Sequence, residues 1–140
     1  MIGIIGAMDE EVAQIVEVMQ VEREESKACM TFKAGKLNGK DVVVVRSGIG
    51  KVNAAVCTQI LVDDFNVDYV INTGIAGSLK AEINIADIVI SSDVLHHDMD
   101  ATGFGYPLGQ IPRMEVLSFE ADKKLIELAD KACKKVLPEI

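Results

Sequence analysis

The chain has 140 residues, of which 49% are hydrophobic and 26% charged, and its net charge is -8 at pH 7. This length suits one compact domain, and the ordinary balance of apolar and charged residues excludes intrinsic disorder. The negative charge and the lack of a basic stripe exclude a general affinity for nucleic-acid phosphate or anionic lipid.

In the first half of the chain, apolar runs that predict buried strands alternate with a helical pattern. Apolar residues recur every three or four positions from Val12 to Met19, which predicts an amphipathic helix with Asp9 as its N-cap. Asn38-Gly39 separates two apolar runs and is a strong hairpin signal, so the sheet is expected to be mixed. The predicted strands of this half cover residues 1–7, 29–37 and 42–45.

The second half of the chain combines a helix of small residues, two further strands and a last amphipathic helix. Apolar residues from Ala121 to Val136 follow a helical spacing, with Ser118 as the expected cap and Pro138 as the expected end. The other predicted elements are a helix over residues 51–64, strands over residues 69–72 and 86–90, and an irregular stretch over residues 95–117.

Continuously apolar strands that alternate with helices predict a sheet covered on both faces, hence an α/β protein with a three-layer α/β/α sandwich around a mixed twisted sheet. The chain stops two residues after Pro138, where such a fold normally starts another strand. We therefore expect residues 1–140 to be the N-terminal part of a single domain that is incomplete at the C-terminus. Alone, this part is expected to aggregate and to be inactive, because a missing strand leaves backbone groups unpaired.

The cysteines and the apolar runs predict the cellular compartment of the protein. Cys29, Cys57 and Cys133 are odd in number, scattered and without a CxxC pair, which favours a reducing compartment. The sequence contains neither an apolar run of membrane-spanning length nor a basic segment leading into an apolar one at its start. These features predict a cytoplasmic protein without membrane partners.

Three predicted strands end in glycine-containing turns, at residues 6–8, 48–50 and 74–77. Ligands of open α/β sheets bind beyond the carboxyl ends of the strands, and glycine lets the backbone approach a ligand closely. One such turn is explained by tight strand-to-helix geometry alone. Three turns at the same edge of the sheet favour a ligand site.

The acidic residues at the start of the first helix separate by helical geometry. Glu10 points away from the apolar stripe and is expected to be solvated, whereas Glu11 lies on its flank and can face the crevice. From position alone, Glu11 is equally well explained as a functional carboxylate or as an acid placed for the helix dipole.

Two features of the loop that follows the predicted strands have several interpretations. The run from His96 to Asp100 contains metal-binding side chains, but adjacent histidines on an extended segment point in opposite directions, which favours loop ordering over metal binding. Phe104 and Tyr106 lie among glycines and are compatible with a lid, a packing loop or an interface.

Four motifs in register resemble those of the bacterial 5′-methylthioadenosine/S-adenosylhomocysteine nucleosidases, within the nucleoside phosphorylase/nucleosidase superfamily. The similarity extends from residue 1 to about residue 135. The motifs are IIGAMDEEV at residues 4–12, SGIGKVNAA at residues 47–55, NTGIAG at residues 72–77 and HDMDATGFGY at residues 97–106.

This resemblance implies hydrolysis of the N-glycosidic bond of 5′-methylthioadenosine and S-adenosylhomocysteine by a homodimer that needs no metal and no organic cofactor. Glu11 matches the family's water-activating glutamate, while the leaving-group acid and a ribose-binding glutamate match positions beyond residue 140. The best-known members carry serine where this chain has Ile75. The implied substrate-binding residues are Met8, Ile75, Ala76 and Gly77 near the ribose, Ile49 in the alkylthio pocket, and Phe104 and Pro112 in the neighbouring subunit's pocket.

Three alternatives follow from the same residues. A nucleoside phosphorylase needs an anion site, which a carboxylate at the nucleophile position opposes, and only Arg46 and Lys51 lie near the glycine turns. A dinucleotide-binding oxidoreductase is disfavoured because the first turn lacks the G-x-G-x-x-G arrangement. A third alternative is a fragment that is inactive and serves only in binding or assembly.

Overall fold

The computed structural model describes residues 1–137 and divides the chain into two compact units, Met1–Gly77 and Ser78–Ile140. Pro138, the expected end of the last helix, lies outside the described residues. Each unit has its own sheet and its own helical segment, and each is described separately below.

The first unit is a five-stranded mixed sheet with one long helix on each face. The strand order is β2-β3-β4-β1-β5, in which β1 is parallel to both β4 and β5, while β2, β3 and β4 form an antiparallel meander. The elements are β1 (Ile2–Gly6), α1 (Asp9–Val18), β2 (Gln20–Lys27), β3 (Met30–Leu37), β4 (Lys40–Arg46), α2 (Lys51–Phe65) and β5 (Tyr69–Asn72). This arrangement confirms the predicted mixed sheet and three layers.

The two faces of the sheet bury alternate residues of the same strands, since successive side chains of a strand point to opposite sides. Ile4 and Val44 pack with Val12 of α1 on one face. Ile5 and Val45 belong to the second core, which α2 covers on the other face. The continuous apolar runs of β1 and β4 therefore arise because each strand is buried on both sides.

The strand β2 was not predicted from the sequence. All eight of its residues are exposed, and most are polar or charged, so the apolar pattern of a buried strand is absent. The strand forms because it pairs antiparallel with β3 along its whole length, at the edge of the sheet. Charged side chains on an edge strand oppose pairing with other chains.

The second unit contains little regular structure within residues 78–137. Its two-residue strands, β6 (Asp93–Val94) and β7 (Phe119–Glu120), pair antiparallel, a 3₁₀ helix covers Thr102–Phe104, and α3 covers Lys123–Val136. The predicted strand over residues 86–90 is wrong, because this apolar run is irregular and has no paired strand among the described residues. The predicted cap Ser118 is also wrong: Asp122 caps α3 by accepting a hydrogen bond from the Leu125 N–H at 2.9 Å.

Candidate functional site

Three strand ends converge at one edge of the first unit's sheet, as the glycine turns predict. Because β1, β4 and β5 are parallel, their carboxyl ends lie side by side. The Ser47 N–H donates to the Gly6 carbonyl at 2.9 Å, and the Thr73 N–H donates to the Ile5 carbonyl at 2.9 Å. These bonds extend the parallel pairing past the ends of the strands and bring the three turns together.

Glu11 joins two of these turns through its carboxylate. It is the third residue of α1, and its Oε2 accepts hydrogen bonds from the Ala7 N–H at 2.7 Å and the Met8 N–H at 3.0 Å. Its Oε1 accepts a third bond from the Ile75 N–H at 3.0 Å, across the end of β5. The Met8 bond is half of a capping box, whereas the Ile75 bond links the helix start to a distant turn.

The three backbone donors stabilise the ionised form of Glu11. They hold the pKa of this carboxyl below its ordinary value of 4.5. The Ile75 N–H is the largest cause and the Met8 N–H the second, and both exceed the opposing effect of desolvation, while the Ala7 N–H contributes least. Glu11 is half-buried at the mouth of the crevice. At neutral pH it is therefore a fixed negative charge with a defined orientation.

The other two acids of α1 have different surroundings. Asp9 is the first residue of the helix rather than its N-cap, which is Met8, so the predicted Asp9 cap is wrong. The Asp9 carboxylate instead pairs with the Arg46 guanidinium at 3.1 Å, at the end of β4. Glu10 is exposed, as predicted.

Two of the residues expected near a ribose, Met8 and Ile75, contact the Glu11 carboxylate through their backbone N–H groups. Met8 is half-buried directly before α1, and the exposed residues Ile75, Ala76 and Gly77 follow the end of β5. Ile75 contributes its backbone N–H to the Glu11 carboxylate, so this contact needs no serine hydroxyl. The turn's backbone thus supplies a polar group where the side chain is apolar.

Ile49 lies in the turn that joins β4 to α2, and its side chain is exposed. Asn53 donates from its Nδ2 to the Ile49 carbonyl at 2.8 Å, which braces the turn against the first turn of α2. Gly48 and Gly50 have φ angles of +85° and +102°, a region that favours glycine. The glycines therefore have a conformational reason to be present, independent of any ligand.

Phe104 and Pro112, expected to serve a neighbouring subunit, belong to the second unit and are exposed. Phe104 is the last residue of the 3₁₀ helix. Asp100 fixes the start of this helix, because the Asp100 Oδ1 accepts hydrogen bonds from the Thr102 N–H at 3.0 Å and from the Thr102 hydroxyl at 2.7 Å. The Tyr106 hydroxyl accepts a bond from the Arg113 N–H at 3.2 Å. These bonds shape the aromatic loop and leave the Phe104 ring in solvent.

The histidine-containing run does not assemble a metal centre. Within residues 1–137, no three histidine, cysteine, aspartate or glutamate side chains come together in a way that could hold a metal ion. The Met99 carbonyl accepts a bond from the Gly109 N–H at 2.8 Å, so this segment is tied to the end of the aromatic loop.

Ser47 and Asn53 contribute to the site without having been singled out individually. Ser47 is the buried polar residue at the crevice, and its hydroxyl donates to the Gly48 carbonyl at 2.9 Å. Both residues belong to the motif over residues 47–55. Ser47 could have been identified from the sequence, because it is the polar residue directly before a glycine turn.

No helix in the described part of the chain has the length and apolarity to cross a membrane.

Comparisons with known proteins agree with this geometry. The family described as "Phosphorylase superfamily" matches residues 1–140. The 5′-methylthioadenosine/S-adenosylhomocysteine nucleosidases of Marinomonas sp. (strain MWYL1) and Staphylococcus haemolyticus (strain JCSC1435) are 51% and 49% identical to the chain. Each alignment spans 135 residues, which are 96% of this chain but only 58% and 59% of those relatives.

A solved structure shows the same fold. The 5′-methylthioadenosine/S-adenosylhomocysteine nucleosidase of Colwellia psychrerythraea 34H, crystallised in complex with adenine, superimposes with a TM-score of 0.93 at 46% sequence identity. The match covers 99% of this chain and 57% of that protein. The chain therefore spans well under two thirds of the proteins it resembles.

Proposed function

The chain belongs to the phosphorylase superfamily, and from this premise we propose that a complete protein carrying it hydrolyses the N-glycosidic bond of 5′-methylthioadenosine and S-adenosylhomocysteine. The products are adenine and the corresponding 5-thio-ribose. The similarity to named nucleosidases over 96% of the chain supports this substrate class. The observation that carries the proposal is the arrangement of hydrogen bonds around Glu11.

The Glu11 carboxylate has room for one more hydrogen-bond donor. An ionised carboxylate offers about four acceptor positions. Two bonds occupy Oε2 and one occupies Oε1, which leaves an acceptor position on Oε1 beside the Ile75 turn. We assign that position to the attacking water, which Glu11 orients and finally deprotonates.

A carboxyl group whose pKa is lowered is a weak base, so Glu11 suits a reaction in which bond breaking precedes proton transfer. Cleavage of a glycosidic bond passes through an oxocarbenium-like state, and a fixed negative charge stabilises such a cation. Water then adds to the anomeric carbon and its proton passes to Glu11. The acid that protonates adenine is assigned to the part of the relatives that follows residue 140, so residues 1–140 alone are expected to be inactive.

The ion pairs at the crevice favour water over phosphate as the nucleophile. Arg46, which lies at the end of β4, is engaged with the Asp9 carboxylate, so its charge is partly neutralised. The Glu11 carboxylate repels a phosphate anion at the position of the nucleophile. These charges disfavour the phosphorylase alternative, although that reaction occurs on a related scaffold.

We further propose that the working protein is a homodimer, with α2 at the interface. The buried residues of α2 face the sheet, and several apolar residues on its outward side are exposed beside the polar Gln59 and Asp63. Exposed apolar patches often mark interfaces between proteins. The exposed Phe104 ring is a second apolar surface that a neighbouring copy would cover. The exposed apolar residues on the outer face of α2 are Val52, Ala55, Val56 and Val62.

The proposal includes a cytoplasmic location and a reaction that needs no metal or organic cofactor. The free cysteines Cys29, Cys57 and Cys133 support a reducing compartment. The reaction is tested by supplying 5′-methylthioadenosine to a complete chain that carries residues 1–140 and measuring released adenine. Release in phosphate-free buffer supports hydrolysis, whereas release that requires phosphate supports a phosphorylase.

A further inference from the structure

We propose that Gly74 is a positioning residue, whose missing side chain leaves the space that the Glu11 carboxylate occupies. This inference rests on the proposed function of Glu11 and names a residue that sets the geometry of that group. Gly74 lies in the turn after β5, directly before Ile75, whose N–H binds the carboxylate.

The clearance around Gly74 is set by Glu11. A Cβ atom built on Gly74 would lie 2.6 Å from the Glu11 Cδ and 3.0 Å from its Oε2, and it would also collide with Oε1. All three nearest atoms thus belong to one carboxylate. A distance of 2.6 Å is far inside ordinary carbon–carbon contact, so the carboxylate and an alanine side chain cannot occupy these positions together.

The backbone gives no competing reason for glycine at this position. Gly74 does not have a positive φ angle, unlike Gly48 and Gly50. Alanine at position 74 is therefore not strained by its backbone conformation. Its effect acts through the displaced carboxylate, which is the end of a flexible side chain, so the loss of stability is limited to that of the Glu11–Ile75 hydrogen bond.

Gly3 provides a control, because alanine at position 3 is expected to affect the stability of the fold and not the Glu11 carboxylate. It is the second residue of β1, and a Cβ there would approach the Leu61 Cδ1 to 2.9 Å, in the buried core beneath α2. Gly3→Ala should lower the melting temperature without touching the carboxylate. Gly74→Ala should lower turnover, and it should lower the melting temperature less than Gly3→Ala does.

The test compares Gly74→Ala, Gly3→Ala and Glu11→Ala in a complete chain that carries residues 1–140, assayed for adenine release from 5′-methylthioadenosine. We expect Gly74→Ala to lower kcat by about 10²-fold, the usual cost of a misplacement near 1 Å, with KM changed much less. In a Glu11→Ala background, Gly74→Ala should lower kcat no further, since both changes act on one group.

A second readout follows the carboxylate itself. Because the Ile75 N–H is the largest cause of the lowered Glu11 pKa, displacement by Gly74→Ala should move that pKa upward, toward 4.5. Carboxyl-carbon NMR titration of Glu11 measures this shift directly, and the acidic limb of the pH–rate profile should move in the same direction. Gly3→Ala should leave both unchanged.

The outcomes separate this inference from the proposed function. Near-normal turnover of Glu11→Ala would overturn the role of Glu11. Loss of turnover in Glu11→Ala with normal turnover in Gly74→Ala would overturn the positioning role alone. The positioning role is also wrong if Gly74→Ala destabilises the fold more than Gly3→Ala, or if it lowers kcat equally in the Glu11→Ala background.

Discussion

The Glu11 carboxylate and the Ile75 backbone N–H form a 3.0 Å hydrogen bond between residues that are 64 positions apart. This bond connects the start of α1 to the turn that follows β5, at the point where the parallel strands end. A helix-capping role for Glu11 explains its bonds to Ala7 and Met8, but the bond to Ile75 requires a reason beyond the helix. The proposed role of Glu11 supplies this reason, since a carboxylate that orients water must itself be held in place, here by the turn before α1 and by the turn after β5.

Replacing Glu11 by glutamine should lower turnover in a complete chain by about 10²–10⁴-fold, because the variant cannot accept the proton from water. Binding of an unreactive 5′-thio nucleoside, measured by calorimetry, should persist. Glu10→Gln is the matched control, since Glu10 is the adjacent acid and is exposed. Near-normal turnover of Glu11→Gln, or an equal loss in Glu10→Gln, would contradict the assignment.

The lowered pKa of Glu11 predicts how its contribution to stability depends on pH. The ionised carboxylate is favoured in the folded state, so this contribution is fully present above about pH 4.5 and is lost as the pH falls through the lowered folded-state pKa. Unfolding free energies of the wild type and Glu11→Gln, measured between pH 7 and pH 3, should differ most near neutrality and converge in acid. A difference that grows with falling pH would be inconsistent with the three backbone bonds.

The proposed dimer predicts a position-specific effect of a charge on α2. Val52, on the outer face of α2, and Val18, on α1, are 73% and 72% exposed, which makes them a matched pair. Val52→Glu should weaken self-association at least about tenfold, because a buried charge is costly, whereas Val18→Glu should not. Sedimentation over a range of concentrations measures the effect. A fully active wild-type monomer would refute the dimer.

The cysteines predict a pattern of chemical labelling. Burial raises the pKa of the Cys57 thiol to about 11, and this side chain is completely buried in the core beneath α2. Iodoacetamide at pH 8 should therefore modify the exposed Cys29 and spare Cys57 until the protein is unfolded. Peptide mass spectrometry distinguishes the two sites. Equal labelling of both in the native protein would show that α2 does not cover the sheet as described.

Elements with strong periodic or turn signals were predictable from the sequence. The hairpin at Asn38-Gly39 and the helix predicted over residues 51–64, found as Lys51–Phe65, are confirmed. The exposed Glu10 and the inward Glu11 are also confirmed, because one turn of helix fixes their directions. Local geometry could not decide what Glu11 does, since the deciding bond comes from Ile75 in another turn.

Elements that depend on a partner strand were not predictable. The strand β2 is polar and forms through pairing with β3, whereas the apolar run over residues 86–90 is irregular, without a paired strand in the described part of the chain. Strand preference expresses packing against neighbours more than an intrinsic backbone tendency, so the local sequence misleads in both cases. The prediction of Asp9 as an N-cap was wrong because of another contact that is distant in sequence: Arg46 from β4 pairs with the Asp9 carboxylate.

The most direct test of the central claim is the phosphate dependence of adenine release from 5′-methylthioadenosine, measured in a complete chain that carries residues 1–140. With water as the nucleophile oriented by Glu11, the rate should be the same in phosphate-free buffer and at millimolar phosphate, and the sugar product should carry a free anomeric hydroxyl. Release that requires phosphate and yields a sugar 1-phosphate would contradict the account.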